Sequence, residues 1–122
     1  MGKKLSDEQR LEALSRRDCP IRASLEVIGG KWPLLIVGHL LAGRLRYGEL
    51  RRRVGDISEK MLIQELRQLE GRGLVRRIQY PEVPPRVEYE LTETGHALEA
   101  VLAALWTWGQ RLPPADNPPD LA

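Results

Sequence analysis

Between Ser58 and Leu74 the sequence SEKMLIQELRQLEGRGL repeats apolar residues with a helical period. Leu62, Leu66 and Leu69 fall at i, i+4 and i+7, so at about 100° per residue they form one stripe that must be covered. Lys60, Gln64 and Arg67 project from the opposite side, with Met61, Ile63 and Gln68 on the flanks. Ser58 is placed to accept from a free backbone N–H of the first turn, and Gly71 and Gly73 offer the chain a way out. Upstream, Tyr47 to Val54 (YGELRRRV) predicts a shorter helix, and Gly55-Asp56-Ile57 is a turn-length link, so the two helices have helix-turn-helix proportions. Downstream, Leu74 to Tyr80 and Arg86 to Leu91 predict two strands around Pro81-Glu82-Val83-Pro84-Pro85. In the second strand Val87, Tyr89 and Leu91 alternate with Arg86, Glu88 and Glu90, which predicts one packed face and one wet face.

The pattern before and after this centre is helical. Met1 to Lys4 is polar and expected to fray. Ser6 and Gln9 have capping-box spacing, and the helix they open, to about Arg17, carries a thin apolar face of Leu11 and Leu14. A face so thin suits an arm that docks on another surface, a second subunit for instance. Pro20 suits a first turn, so a second helix starts at Cys19-Pro20, buries Ile21, Leu25 and Ile28, and ends at Gly29-Gly30. From Trp32 to Leu41 the chain is apolar nearly all round, which predicts a central helix with Pro33 tolerated in its first turn. Arg44-Leu45-Arg46 is expected to pair as a short strand at the base of the hairpin. Thr92 opens the last helix, in which Leu98, Val101, Leu102, Leu105, Trp106 and Trp108 offer more apolar surface than a small domain hides alone. The Pro-rich end beyond Arg111 cannot continue a helix.

These elements predict a mainly α fold with a small β-hairpin: a winged helix-turn-helix with additional N- and C-terminal dimerisation helices. The expected organisation is an arm over 1–18, a DNA-binding core over 19–92, a dimerisation helix over 93–112 and a disordered tail over 113–122. Length suits one such unit, since 122 residues support a single core. The net charge of +2 conceals an asymmetry. From Lys31 to Tyr80, eleven Lys and Arg stand against five Asp and Glu, which makes that middle segment +6 and the remainder −4. A basic middle points to a polyanionic partner. Long donors on an exposed helix face fit the major groove, where Arg and Lys pair with guanine and Gln with adenine.

Other chemistries lack residues. No apolar run reaches the roughly 20 residues of a membrane span, and the first residues lack a signal-peptide pattern, so a cytoplasmic protein with no membrane partner is expected. One cysteine makes no intrachain disulfide, and with His39 and His96 far apart in sequence it gives no zinc-ligand spacing. The sequence shows no phosphate-cradling glycine loop, no nucleophile elbow and no paired carboxylates in a plausible cleft context, so neither an enzyme nor a cofactor is expected.

A series of short motifs also carries a resemblance. Cys19-Pro20, Ile28-Gly29-Gly30-Lys31-Trp32, Tyr47-Gly48-Glu49-Leu50-Arg51, Ile57-Ser58, Leu66-Arg67-Gln68-Leu69-Glu70, Gly73-Leu74-Val75, Tyr80 through Tyr89 and Leu91-Thr92-Glu93-Thr94-Gly95 occur in the order found in the HxlR-type bacterial transcriptional regulators. The match covers about Cys19 to Gly109. It implies a homodimeric winged-helix repressor or activator, MarR-like in architecture, joined through its terminal helices, with Ser58 to Glu70 as recognition helix and Pro81 to Arg86 as wing. The chain departs from the family at Ile63, where Thr is frequent, and at Glu65, where Arg is frequent, so the family's DNA sequences do not carry over.

The expected roles follow. Ser58, Lys60, Met61, Gln64, Arg67 and Gln68 face DNA from the recognition helix; Arg46, Arg51, Arg52, Arg53, Arg76, Arg77 and Arg86 grip backbone or serve the wing; Leu11, Leu14, Leu98, Val101, Leu102, Leu105 and Trp106 hold the homodimer. The partner is a palindromic double-stranded operator, with a small-molecule or oxidant effector as a further expectation. Cys19 is the candidate sensor: the resemblance places it where redox-responsive members carry their sensing thiol. A helix N-terminus and nearby Arg16, Arg17 and Arg22 give it a positive setting, opposed by Asp18. The competing reading makes Cys19 a small residue buried at a helix start. For the whole chain, the alternative is a winged-helix protein-interaction module that binds no DNA.

Overall fold

The computed structural model describes residues 6–114. The frayed start expected over Met1 to Lys4 lies outside them, as does most of the tail expected over 113–122. In chain order the elements are α1 (Asp7–Leu14), α2 (Pro20–Ile28), α3 (Pro33–Leu40), β1 (Leu45–Arg46), α4 (Tyr47–Val54), α5 (Glu59–Gly71), β2 (Val75–Tyr80), β3 (Arg86–Leu91), α6 (Glu93–His96) and α7 (Glu99–Gly109). The strands form an antiparallel sheet in the order β1-β3-β2, with Leu45 opposite Tyr89 and Val75 opposite Leu91. The chain is thus mainly helical with a small sheet, a winged helix.

One core holds these elements together. Ile36, Val37 and Leu40 of α3, Leu50 of α4, Leu62, Leu66 and Leu69 of α5, and Val75, Tyr89 and Leu91 of the hairpin are all buried in it. The leucine stripe of α5 therefore faces inward, which leaves Lys60, Gln64, Arg67 and Gln68 exposed on the other side. Caps fix where helices start: Ser58 Oγ accepts from Met61 N at 3.1 Å, and the Ser6–Gln9 capping box opens α1. At the α4–α5 turn Gly55 has φ 91°, a backbone conformation that disfavours a side chain.

Four expectations are corrected. Helix α1 ends at Leu14 rather than near Arg17. In α2 the residues expected to be buried are not: Ile21 is 55% and Leu25 60% exposed, Ile28 is half-buried, and Val27 meets the core instead. The periodicity located an apolar face, but the helix turns it away from its own core. The last helix is two helices. Gly95 of α6 is buried so closely on the hairpin that a Cβ there would stand 2.2 Å from the Leu74 carbonyl oxygen, and the chain leaves regular helix at Ala97 and Leu98 before α7 begins. The outer face of β3 is also less wet than alternation implies. Arg86, Glu88 and Glu90 are all half-buried, because arginine side chains lie over the carboxylates.

Candidate nucleic-acid interface

Helix α5 stands beside the hairpin, and between them lies a hollow of about 620 Å³ lined by Tyr47, Ile63, Arg67, Glu70, Arg77, Pro85, Val87 and Tyr89. Arg67 comes from the helix and Arg77 from β2, so two cations share one groove. Neither forms an ion pair among the described residues; Arg77 donates only to Gln79 Oε1 at 3.2 Å. Along the outer side of α5 a second hollow is lined by Lys60, Ile63, Gln64, Arg67 and Gln68. Ser58 and Met61, also expected at this surface, are exposed at the start of α5, Ser58 as its cap. Four neighbouring side chains that can pair with base edges or phosphates, Lys60, Gln64, Arg67 and Gln68, thus occupy the face left free when the leucines are buried.

The basic residues expected around this helix divide into several groups. Arg51, Arg52 and Arg53 are all exposed on α4, but three successive helical positions cannot share one direction. Arg51 reaches Glu59 of α5 at 3.7 Å. Arg76 and Arg77 point to opposite faces of the sheet: Arg77 pairs in register with the inward-facing Tyr89 and enters the groove, whereas Arg76 pairs with Glu90 and binds its carboxylate on the far face.

That far face carries the densest electrostatics among the described residues. Glu90 accepts from Arg76 and from Arg44, whose Nη2 lies 3.0 Å from Glu90 Oε1. These two guanidinium groups, Arg76 first, hold the Glu90 carboxyl below the usual carboxylate range. Arg44 also donates to Tyr80 Oη at 2.7 Å. Arg86 stacks on the Tyr80 ring with its guanidinium carbon 3.9 Å from the centroid, and it pairs with Glu82 at 3.1 Å and Glu88 at 3.5 Å. Arg46, at 3.9 Å from Glu88, is a weaker member. Arg86 is therefore engaged in holding the wing's shape, a role its sequence position beside the Pro-rich tip does not convey.

Sequence reading missed two participants. Tyr47 spans the meeting point of α4 and the groove, with its hydroxyl buried and without a hydrogen-bond partner among the described residues. Burial raises the Tyr47 pKa, with Glu59 nearby as a smaller cause. Arg44 entered only through the charge count and the short strand expected over Arg44-Leu45-Arg46, and it lies just outside the observed β1. Its ion pairs span 44 or more positions in sequence, so no local pattern could have announced them.

The residues expected at a dimer interface also separate. Leu11 and Leu14 on α1 are exposed, as are Val101, Leu105 and Trp106 on α7, the last at 73%. Leu98 and Leu102 instead pack against the chain's own core. Cys19 is 3% exposed, caps α2 without a side-chain hydrogen bond and lies just past Arg22's partner segment: Arg22 Nε donates to the Leu14 carbonyl at 2.7 Å, which ties the end of α1 to α2. Among the described residues no group of His, Cys, Asp and Glu is arranged to hold a metal, and no helix is long and apolar enough to cross a membrane.

Comparison with known proteins gives concordant results. The family model described as HxlR-like helix-turn-helix matches residues 27–117. The HTH-type transcriptional regulator YtcD of Bacillus subtilis is 52% identical over 89 residues, which cover 73% of this chain and 71% of the relative. A solved MarR-family regulator from Porphyromonas gingivalis superposes with a TM-score of 0.75 at 43% identity, over 89% of this chain and 98% of that one. The redox regulator HypR in its oxidized form gives 0.73 at 41% identity, over 80% and 100% of the two chains.

Proposed function

The chain belongs to the HxlR-like helix-turn-helix family of transcriptional regulators, and on that premise we propose that it binds an approximately palindromic DNA operator as a homodimer, with α5 in the major groove and the β2–β3 hairpin as the wing. The observation that carries this reading is the exposed face of Lys60, Gln64, Arg67 and Gln68, which stands opposite a fully buried leucine stripe and beside a groove holding a further cation, Arg77, that forms no ion pair among the described residues. The exposed apolar residues of α1, α2 and α7 support the dimer: Leu25 and Trp106, both mostly exposed, would be unusual on a surface that meets only water. Selection of bound fragments from random DNA by the purified protein tests it. Enriched half-sites repeated with two-fold symmetry are the expected result; no enrichment would favour a protein-interaction module instead.

A second part of the proposal concerns the signal. Cys19 is the sole thiol, it sits at the joint between α1 and α2, and one similar solved structure is that of a protein described as a redox regulator. Modification of a thiol this buried would force the joint to move, and with it any subunit contact made by α1 and α2. DNA titrations of wild type and Cys19→Ser, each before and after diamide, decide the point. Loss of affinity in wild type alone is expected; equal responses in both proteins would leave Cys19 a structural residue.

A further inference from the structure

We propose that Arg44 is a positioning residue for the wing, acting on DNA binding through Tyr80 and Arg86 without contacting DNA itself. The inference rests on the DNA-binding reading above and adds to it a determinant outside the recognition helix and the hairpin. Arg44 lies in the link between α3 and β1, and its guanidinium reaches both strands of the hairpin: Nε and Nη2 to Glu90 of β3 at 3.2 and 3.0 Å, and Nη1 to the Tyr80 hydroxyl of β2 at 2.7 Å and to Glu88 at 3.7 Å. Tyr80 is the last residue of β2, where the chain leaves for the tip. Its ring carries Arg86 at 3.9 Å, and Arg86 in turn holds Glu82 inside the tip and Glu88 on β3. A continuous chain of polar contacts therefore runs from the end of α3, whose Ile36, Val37 and Leu40 are fully buried, to the tip of the hairpin.

The geometry gives Arg44 this role rather than that of a phosphate contact. Its donors are directed at two carboxylates and a phenol, on the sheet face opposite the groove that Arg67 and Arg77 share. A planar fork can satisfy these partners at once, whereas a lysine ammonium cannot. Among the described residues Arg44 alone pairs with both Glu88 and Glu90, whose other ion-pair partners are Arg46 and Arg86 for Glu88 and Arg76 for Glu90. The tip lacks regular strand pairing beyond the Tyr80–Arg86 pair, so the contacts of Tyr80 and Arg86 decide where the tip stands relative to α5.

The test uses the full-length protein and two versions of its selected operator, one ending where the recognition helices end and one continuing on both flanks beneath the wings. Wild type should bind the longer duplex more tightly. Arg44→Ala should lose about five-fold on the longer duplex, the scale of an exposed ion-pair contact, and little on the shorter, with an unchanged slope of log affinity against log salt. Arg77→Ala should instead flatten that slope by about 1.8, one phosphate's worth from each subunit of the dimer. Tyr80→Phe, which keeps the ring beneath Arg86 but removes the hydroxyl, should move in the same direction as Arg44→Ala and carries the test if that variant does not fold. Arg44→Lys should recover only part of the loss. Equal losses on both duplexes, a flattened salt slope in Arg44→Ala, no loss at all, or a wild type indifferent to the flanks would each overturn the proposal. A wild-type protein that binds neither duplex would instead overturn the DNA-binding reading itself.

Discussion

Arg76 and Arg77 are adjacent, identical in type and indistinguishable by composition, yet strand geometry gives them different work. Successive side chains on β2 point to opposite faces, so Arg77 enters the groove beside α5 while Arg76 is held by Glu90. Replacing Arg77 by Ala should weaken binding to all DNA sequences and flatten the salt dependence by about two phosphates, one per subunit of the dimer. Arg76→Ala should leave that slope unchanged and cost about 1 kcal/mol of stability, because Arg76 is largely exposed and Glu90, half-buried, keeps Arg44 as a partner. Fluorescence titrations at several salt concentrations, with thermal melts alongside, distinguish the two. Gly95 makes a different kind of residue-scale demand. Its missing Cβ leaves room for the Leu74 carbonyl, and backbone on both sides cannot yield easily, so Gly95→Ala should destabilise the fold by about 1–3 kcal/mol in denaturant unfolding.

At the scale of elements, the roles proposed for α5 and the hairpin can be tested separately. Gln64 is exposed at the middle of the outward face of α5. Gln64→Ala should therefore cost about 1–3 kcal/mol on the selected operator and little on random DNA; equal losses on both would make it a phosphate contact. The hairpin responds to acid. Glu90 has its carboxyl pKa lowered in the folded protein, first by the hydrogen bond from Arg76 and then by Arg44. A folded value below the unfolded one means that this carboxylate adds stability above the ordinary glutamate value, about 4.3. That contribution disappears as pH falls through the lower folded value. Thermal melts below about pH 4.3 should therefore fall more steeply for wild type than for Glu90→Gln, which cannot titrate.

For the whole molecule, charge and assembly act together. The segment from Lys31 to Tyr80 holds a formal +6 while the rest of the chain holds −4. If a dimer neutralises about six to ten phosphates, log affinity should fall with log salt at a slope of roughly −5 to −9. The internally engaged Arg44, Arg76 and Arg86 bring the expectation toward the shallower end. Sedimentation at micromolar concentration should show a dimer, whose recognition helices meet major-groove sites about one turn, roughly 34 Å, apart. Trp106→Glu, on the most exposed tryptophan of α7, should shift that equilibrium toward monomer and weaken operator binding without lowering helix content; a dimer unchanged by the substitution would move the interface elsewhere.

The sequence by itself determined the elements whose cause is local. A 3.6-residue period set the buried leucines of α5 and left its polar face outward; serine caps and a turn glycine fixed its start; alternation around a proline cluster marked the two strands. Nearest-neighbour chemistry suffices for these, because the partners lie within a turn or a hairpin. What only the tertiary structure decided involves residues far apart in the chain. Whether an apolar face meets its own core depends on where the helix packs, so Val27, Leu98 and Leu102 pack on it while Ile21, Leu25 and Trp106 do not. Likewise, a count of positive charges cannot tell a cation in the groove from one already neutralised. Arg67 and Arg77 came to share a hollow, and Arg44 came to hold the hairpin, because folding brought α3, α5 and the two strands within a few ångströms of one another.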